Sequence, residues 1–418
     1  MSTEEIKTEE TTEAGQAGRF AAMNWAYWFA ACFCSYQTIF LQSAGWDASD
    51  VGVINSLNSA IGFAATPFWG ALSDKLRSVK KIVILLILGA ALLYGIIPLM
   101  DLRIAGISLL FLVIPAANFF RTPLQSLVDN WTVRACNKHG MHYGAIRSFG
   151  SFSFGVIGLI LGYAVTRMNA GTRALGTRLT FPGYTFFSMV LLMVVLSIRD
   201  DVQGAGRKMQ KFSEMDFGRL FRNYYYSTYL FYAMLIQVPL ACVYSFQPYL
   251  MREIGVDTGT IGYITGFKAF VEIPMLLMMD KVRNKCPLYV LLFGAGGLFM
   301  LEAFFYSISG SFLHLLLVGI LQGLGGGLNI AAGSNYVATL SPEDLKATAQ
   351  TVNAAMVSLA GMIGNLAGGF LIEAAGIRMF YRGCSILILA GLLLFIFSFP
   401  FGERVLHLKR PAIVRHGR

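Results

Sequence analysis

The chain has 418 residues, 56% of them hydrophobic and 13% charged, with a net charge of +10. A soluble protein holds about 25% charged residues, so this composition, with a mean hydropathy of +0.60, excludes a freely soluble globule and leaves no stretch that requires a soluble domain. The first residues, "MSTEEIKTEETTEAGQ", lack the basic region of a cleaved signal, and 1–18 reads as a disordered cytoplasmic tail. Twelve apolar runs follow at 20–41, 50–72, 82–100, 105–133, 143–166, 181–198, 224–250, 259–279, 287–308, 312–338, 347–375 and 378–401. Each approaches the ~20 residues a helix needs to cross ~30 Å of hydrocarbon. With the N-terminus inside, cytoplasmic segments hold 23 of the 33 Lys and Arg, and outer loops hold 7. This asymmetry predicts a multi-pass protein of the cell (inner) membrane with both termini cytoplasmic. The positive net charge is then inner-leaflet bias and implies no nucleic-acid partner. The longest cytoplasmic stretch, 199–222, is a linker, and 402–418 is a basic tail.

Several small motifs carry no chemistry. Four of the six cysteines (Cys32, Cys34, Cys242 and Cys384) lie in or beside apolar spans, where a thiol packs as a small hydrophobe. Cys32 and Cys34 lie about 200° apart around a helix, the wrong geometry for one metal ion. "HGMH" (139–142) has no acidic or Cys neighbour to complete a metal site. "GLGGGL" (323–328) spells a dinucleotide fingerprint inside an apolar span with no preceding strand, so its glycines permit close helix packing instead. "SPEDLKA" (341–347) reads as a helix start, with Ser341 at the cap and Pro342 in the first turn. No nucleophile–base pair stands out, so an enzyme is not expected. Nor is a cofactor or metal.

The chain repeats. A shift of 206 places "DKLR" (74–77) on "DKVR" (280–283), and Gly155, Gly158 and Gly162 on Gly361, Gly364 and Gly368. Nearer the start of each half the offset is 210, which places "SYQ" (35–37) on "SFQ" (245–247), and Gly52 on Gly262. Six spans therefore recur as six spans. An even number per half gives both halves the same membrane orientation, which is a parallel repeat about an axis along the membrane normal. The predicted fold is all-α: an N-terminal six-helix bundle at 19–198 and a C-terminal six-helix bundle at 223–401, related by a pseudo-twofold.

Charges inside spans are costly and mark function by default. Arg121, Arg147 and Lys268 are the interior cations; Asp129, Glu272 and Glu302 are the interior acids. Asp129 and Arg147 stand at similar depth on sequential spans and can pair. Lys268 and Glu272 share one helix face at i and i+4. Two cavity walls rich in amides, among them Gln37, Gln125, Gln247 and Asn353, suit hydroxyl groups. A dedicated anion site would show excess positive charge, and here the interior signs balance.

"GALSDKLRSVKK" (70–81) resembles the turn motif of the major facilitator superfamily, with Arg77 where that family usually has Gly. "RTPLQSLVDNW" (121–131) followed by "GAIRSFGS" (144–151) resembles the branch containing the lactose permease and the phenylpropionate and nucleoside permeases. The resemblance implies that Asp129 and Arg147 hold sugar hydroxyls, that Phe154 takes the place of a ring-stacking Trp, and that Glu272 contacts substrate. It also implies a gate at the two charged turns, with Gly70, Asp74 and Lys75 in one and Asp280 and Lys281 in the other. The permease's proton-handling His and Glu are replaced by Gln322 and Gly325, and Glu302 falls on a peripheral scaffold helix, where a packing role is expected.

The combined expectation is a monomeric secondary transporter in the lipid bilayer, moving a small-molecule substrate by alternating access. Proton-coupled symport of a sugar, oligosaccharide or nucleoside comes first, with the proton gradient as driving force and Na⁺ left open. The proton would reside on Glu272 beside Lys268, or on Asp129. The alternatives are a carrier of an aromatic or other carboxylic acid, met by Arg121 or Arg147, and a drug–proton antiporter. Against the antiporter, the fifth span, "GSFSFGVIGLILG", lacks the Pro typical of that class.

Overall fold

A computed structural model describes residues 3–99, 103–104, 107–171, 175–198, 217–342 and 345–409. Among these are twelve α-helices of 18 residues or more: α1 (Thr3–Phe33), α2 (Ala48–Lys75), α3 (Val79–Ile96), α4 (Leu110–His139), α5 (Tyr143–Gly171), α6 (Leu175–Ser197), α7 (Tyr224–Ser245), α8 (Ile261–Lys285), α9 (Leu288–Ile308), α10 (Phe312–Leu340), α11 (Lys346–Ala375) and α12 (Ile377–Arg404). The chain is an all-helical membrane protein. Among the described residues nine helices are long and apolar enough to cross a membrane on composition alone. α1, α2 and α4 fall outside that set for a physical reason. α1 begins in the acidic segment, α2 carries Asn55 and Asn58, and α4 carries Asn118, Arg121, Gln125 and Asp129.

Two sequence expectations need correction. α1 takes in residues 3–18, expected to be an unstructured tail; its Glu, Ala, Lys and Gln are good helix formers. Ser341 does not cap α11. It ends α10, and its hydroxyl donates back to the Val337 carbonyl at 2.6 Å. α11 starts after Leu345, which makes no side-chain cap; the Leu345 N–H instead closes a turn on the Pro342 carbonyl at 3.0 Å. Among the described residues, a short antiparallel strand pair, Arg103–Ile104 with Ile107–Ser108, lies between α3 and α4 in sequence. The expected 199–222 linker lies outside the described residues up to 216; Phe217–Phe221 is a short helix. The tail 402–418 is described only to residue 409.

The repeat is visible in how helices break. α1 stops at a 3₁₀ turn, Cys34–Tyr36, and helix resumes at Gln37–Ser43. α7 stops at Phe246, whose φ of −105° and ψ of 7° are not helical, and helix resumes at Gln247–Glu253. Gln37 and Gln247 thus open equivalent short helices, 210 residues apart.

The chain divides into two compact units. The first comprises 1–43, 61–209 and 259–270; the second comprises 44–60, 210–258 and 271–418. The first part of α8 therefore belongs with the N-terminal helices, and the first part of α2 with the C-terminal ones. Glycine explains both attachments. In the first unit, a Cβ on Gly158 would lie 2.8 Å from the Gly262 carbonyl oxygen, and one on Gly266 2.7 Å from that of Gly155. α5 and α8 touch backbone to backbone, as small-residue helix pairs do in membranes. Tyr36 locks the seam by donating to the Gly259 carbonyl at 3.1 Å. In the second unit, a Cβ on Gly52 would lie 2.6 Å from the Asn365 carbonyl oxygen and 3.1 Å from the Gly369 Cα. That α2–α11 seam matches the first in construction, although Gly364 and Gly368, the 206-shift partners of Gly158 and Gly162, face Cys242 of α7 and it is Gly369 that meets α2.

Each unit has its own core. In the first, Phe20 meets the fully buried Trp131 edge-on at 5.6 Å, and Asn24 donates to Thr132 at 2.9 Å. In the second, Tyr232 stacks on Phe395 at 4.3 Å and donates to the Leu292 carbonyl at 2.7 Å.

A side chain on Gly262 has no space, because its Cβ would sit 2.6 Å from the Gly162 nitrogen. Gly262→Val should therefore destabilise the protein by about 1–3 kcal/mol through overpacking. Gly383, with nothing within 4 Å, should accept the same change at little cost. Denaturant unfolding in detergent compares the two, and equal midpoints would refute the seam's importance.

Candidate functional site

In the first unit, three helices bring polar groups to one place. α4 supplies Asp129 and α5 supplies Arg147, whose Nε lies 4.0 Å from Asp129 Oδ1. That distance is an ion pair but not a hydrogen bond. Tyr143, one turn before Arg147, donates to the same carboxylate oxygen at 3.4 Å. Arg147 Nη1 donates to Ser151 at 3.2 Å. The guanidinium lies over the Trp28 ring of α1, 4.1 Å from its centroid. Trp28 can lie there because residue 150 is Gly; a Cβ at that position would meet the Trp28 ring. Phe154 stands edge-on to Trp28 at 6.0 Å. Arg147 is only 7% exposed, so a cation–π contact in this setting is worth about 2 kcal/mol. Trp28 is the member that sequence reasoning missed. Its signal was an aromatic on the polar-faced first span, which reads equally well as membrane packing.

A second cluster in the same unit surrounds Arg121. Its Nε donates to Asn118 Oδ1 at 3.1 Å, and its guanidinium lies 6.0 Å from the Tyr94 ring centroid. Tyr94 donates to Gln37 Oε1 at 3.4 Å and packs on Tyr184 at 4.6 Å. No carboxylate reaches Arg121 among the described residues: Asp129 is paired with Arg147, and the groups around Arg121 are phenols, an amide and the Cys34 thiol.

The second unit repeats this construction with the opposite charge. Gln247 Nε2 donates to Tyr306 Oη at 3.2 Å, and Tyr306 packs on Tyr381 at 5.6 Å. Beneath them Glu302, fully buried, accepts from Tyr244 at 3.5 Å.

The remaining candidates are dispersed. Gln125 is exposed and Asn353 half-buried. Lys268 is buried and Glu272 half-buried, one turn apart on α8. Gly70 has open space around it, and Lys75 and Lys281 are exposed. The side chains of Asp74 and Asp280 lie outside the described residues. All six cysteines are free thiols.

Twelve long helices in two repeated sets of six, with buried polar groups gathered within each unit, define a secondary transporter rather than an enzyme. The MFS_1 like family model matches residues 24–383, and the chain belongs to that family. It is 26% identical over 379 residues to the maltose permease of Geobacillus stearothermophilus, covering 87% of this chain and 89% of the permease. It is 24% identical over 370 residues to the transporter YwbF of Bacillus subtilis (strain 168), covering 87% and 88%. Among solved structures, the nucleoside transporter NupG superposes with a TM-score of 0.72 at 16% identity, over 92% of this chain and 98% of that one. That match establishes the major facilitator fold.

The family turn explains its own glycine. Residue 77 has φ of +50°, the left-handed conformation that ends many helices. The Ser78 N–H bonds the Ser73 carbonyl at 3.3 Å, and Ser78 then caps α3 by accepting from Lys81 N–H. The same six-residue closure follows α4, where Gly140 has φ of +64° and Met141 N–H bonds the Cys136 carbonyl at 2.9 Å. An L-residue in this conformation costs about 1–2 kcal/mol. Arg77→Gly should raise stability by about 1 kcal/mol net of glycine's greater unfolded-state entropy. A denaturant midpoint that is unchanged or lower would show that the Arg77 side chain compensates the strain.

Proposed function

We propose that the chain is a proton-coupled symporter of a small polyhydroxylated solute, a sugar, oligosaccharide or nucleoside, working by alternating access. The observation that carries this reading is the Asp129–Arg147 pair at 4.0 Å with Trp28 against the cation. A carboxylate accepts from two vicinal hydroxyls, a guanidinium donates to their oxygens, and an aromatic ring gives the apolar face of a pyranose or a base something to rest on. Because the pair is longer than a hydrogen bond, a hydroxyl can bridge it without first breaking a contact. The names of the maltose permease and of NupG agree with this class of substrate. Both termini are taken to be cytoplasmic, from the distribution of Lys and Arg.

A carboxylic-acid carrier is the second reading. It is favoured by Arg121, a buried cation that no carboxylate reaches among the described residues. Uptake of labelled maltose, uridine and benzoate into proteoliposomes, with and without an imposed proton gradient, separates the two. The first reading expects maltose or uridine to accumulate with the gradient and benzoate not to. Asp129→Asn should weaken binding of the carried solute at least about tenfold, because hydrogen bonds to a charged group are worth about 1.5–3 kcal/mol. Benzoate uptake that survives Asp129→Asn and disappears in Arg121→Gln would establish the second reading instead.

A further inference from the structure

We propose that Glu302 is the group that carries the coupled proton, and that it reports its protonation to the solute through Tyr306 and Gln247. This rests on the symport reading above and adds a residue to which the sequence assigns only packing. Glu302 is 0% exposed, in the last third of a helix with a candidate span's length and composition, six residues before its end at Ile308. A carboxyl placed there is costly, and one retained in a span is a functional candidate by default.

Its surroundings are built to accept either protonation state. α7, α10 and α12 pack against α9. From α7, Tyr244 Oη donates to Glu302 Oε2 at 3.5 Å. One turn along α9, the Tyr306 hydroxyl bonds the same carboxylate. From α12, Tyr381 faces the pair, but its hydroxyl is committed to the Val243 carbonyl at 2.9 Å. Arg378, at the start of α12, reaches the α9 end through the Ser307 carbonyl, and Glu253 holds it at 2.6 Å. From α10 comes the uncharged Gln322, bonded to the Tyr244 hydroxyl. Each phenol on the carboxylate therefore has a side-chain amide behind it: Gln322 behind Tyr244, and Gln247 behind Tyr306 at 3.2 Å.

That order fixes what a proton does. With Glu302 ionised, both phenols donate to it, and Gln247 donates its N–H to the Tyr306 oxygen. When a proton from one side of the membrane binds a Glu302 oxygen, the carboxyl becomes a donor. A protonated carboxyl keeps acceptor capacity on its other oxygen, so a phenol turns its O–H away only from the oxygen that takes the proton, and the amide behind that phenol can receive the O–H only by presenting its oxygen. For Tyr306 this reverses Gln247 from donor to acceptor, so a residue that opens the repeat-related short helix presents a different face to solute in the two states. Loss of the proton to the other side restores the first arrangement. The carboxyl gains and loses one proton, and no covalent bond to the solute forms.

Infrared difference spectra of the protein in phosphatidylcholine vesicles, taken between about pH 5 and pH 9, span the range over which buried carboxyls titrate. The parent should show a carboxylic-acid carbonyl band at the acid end that Glu302→Gln lacks. Tyr306→Phe keeps the carboxyl and removes a donor to its charged form, so the band's midpoint should move up by about one pH unit. Identical spectra for parent and Glu302→Gln overturn the proposal; so does an unmoved midpoint in Tyr306→Phe if Glu302→Gln does not fold. Transport supplies the second readout. With maltose and uridine as probes, Glu302→Gln should still exchange solute between two pools and should lose gradient-driven accumulation. A parent that moves solute without protons overturns the symport reading and this role with it. Accumulation that persists in Glu302→Gln overturns this role alone.

Discussion

Hydrocarbon offers no hydrogen bonds, so a charge placed in a span must find its whole environment within the protein. This one constraint accounts for the distribution of polar side chains in the structure. Arg147 is held by Asp129, Ser151 and the Trp28 ring. Arg121 is held by Asn118 and a set of phenols. Glu302 is held by Tyr244 and Tyr306. The tyrosines recur because a phenol supplies both halves of the requirement: an apolar ring that packs against neighbouring helices and one hydroxyl that reaches a partner. The same reasoning explains why α4, which carries the most polar face, fails the composition test for a span while lying between helices that pass it.

Duplication of a six-helix unit supplies the rest of the plan, and the two copies have diverged in chemistry while keeping their geometry. The glycine seams α5–α8 and α2–α11 match in construction, and each fastens the first part of a helix to the opposite half of the sequence. Two glycines facing each other let backbones meet with no side chain to interdigitate. Such a contact depends on no side-chain rotamer.

Much of this was legible from residues alone. Twelve runs of suitable length gave the helices, and the 206 and 210 offsets with glycines at matching places gave the repeat. Asp129 and Arg147 were legible because span direction places them at one depth. Three features were not. Trp28 was hidden because aromatic rings are abundant in every span, and only coordinates reveal which one covers a guanidinium. Ser341 was misread because "SPEDLKA" has the spelling of a helix start, yet its hydroxyl serves the helix before it. The phenols around Glu302 were hidden because a position on a helix does not say which neighbours its side chain meets.

The repeat also bears on why the buried acid lies where it does. Gln37, Tyr94 and Tyr184 in the first unit form an amide–phenol–phenol cluster like that of Gln247, Tyr306 and Tyr381 in the second. Cys34, whose thiol meets Tyr94, stands 210 residues before Tyr244, which meets Glu302. Beneath the first trio is a permanent cation, since arginine does not deprotonate in proteins. Beneath the second is a carboxyl, which can. Two copies of one scaffold thus hold a fixed charge and a variable one in comparable frames. A buried charge kept for packing alone is often no better than an apolar side chain of the same volume, because it carries a desolvation cost. A carrier that couples its solute to an ion uses both kinds: a constant group to orient the solute and a changeable one to tie its movement to the ion.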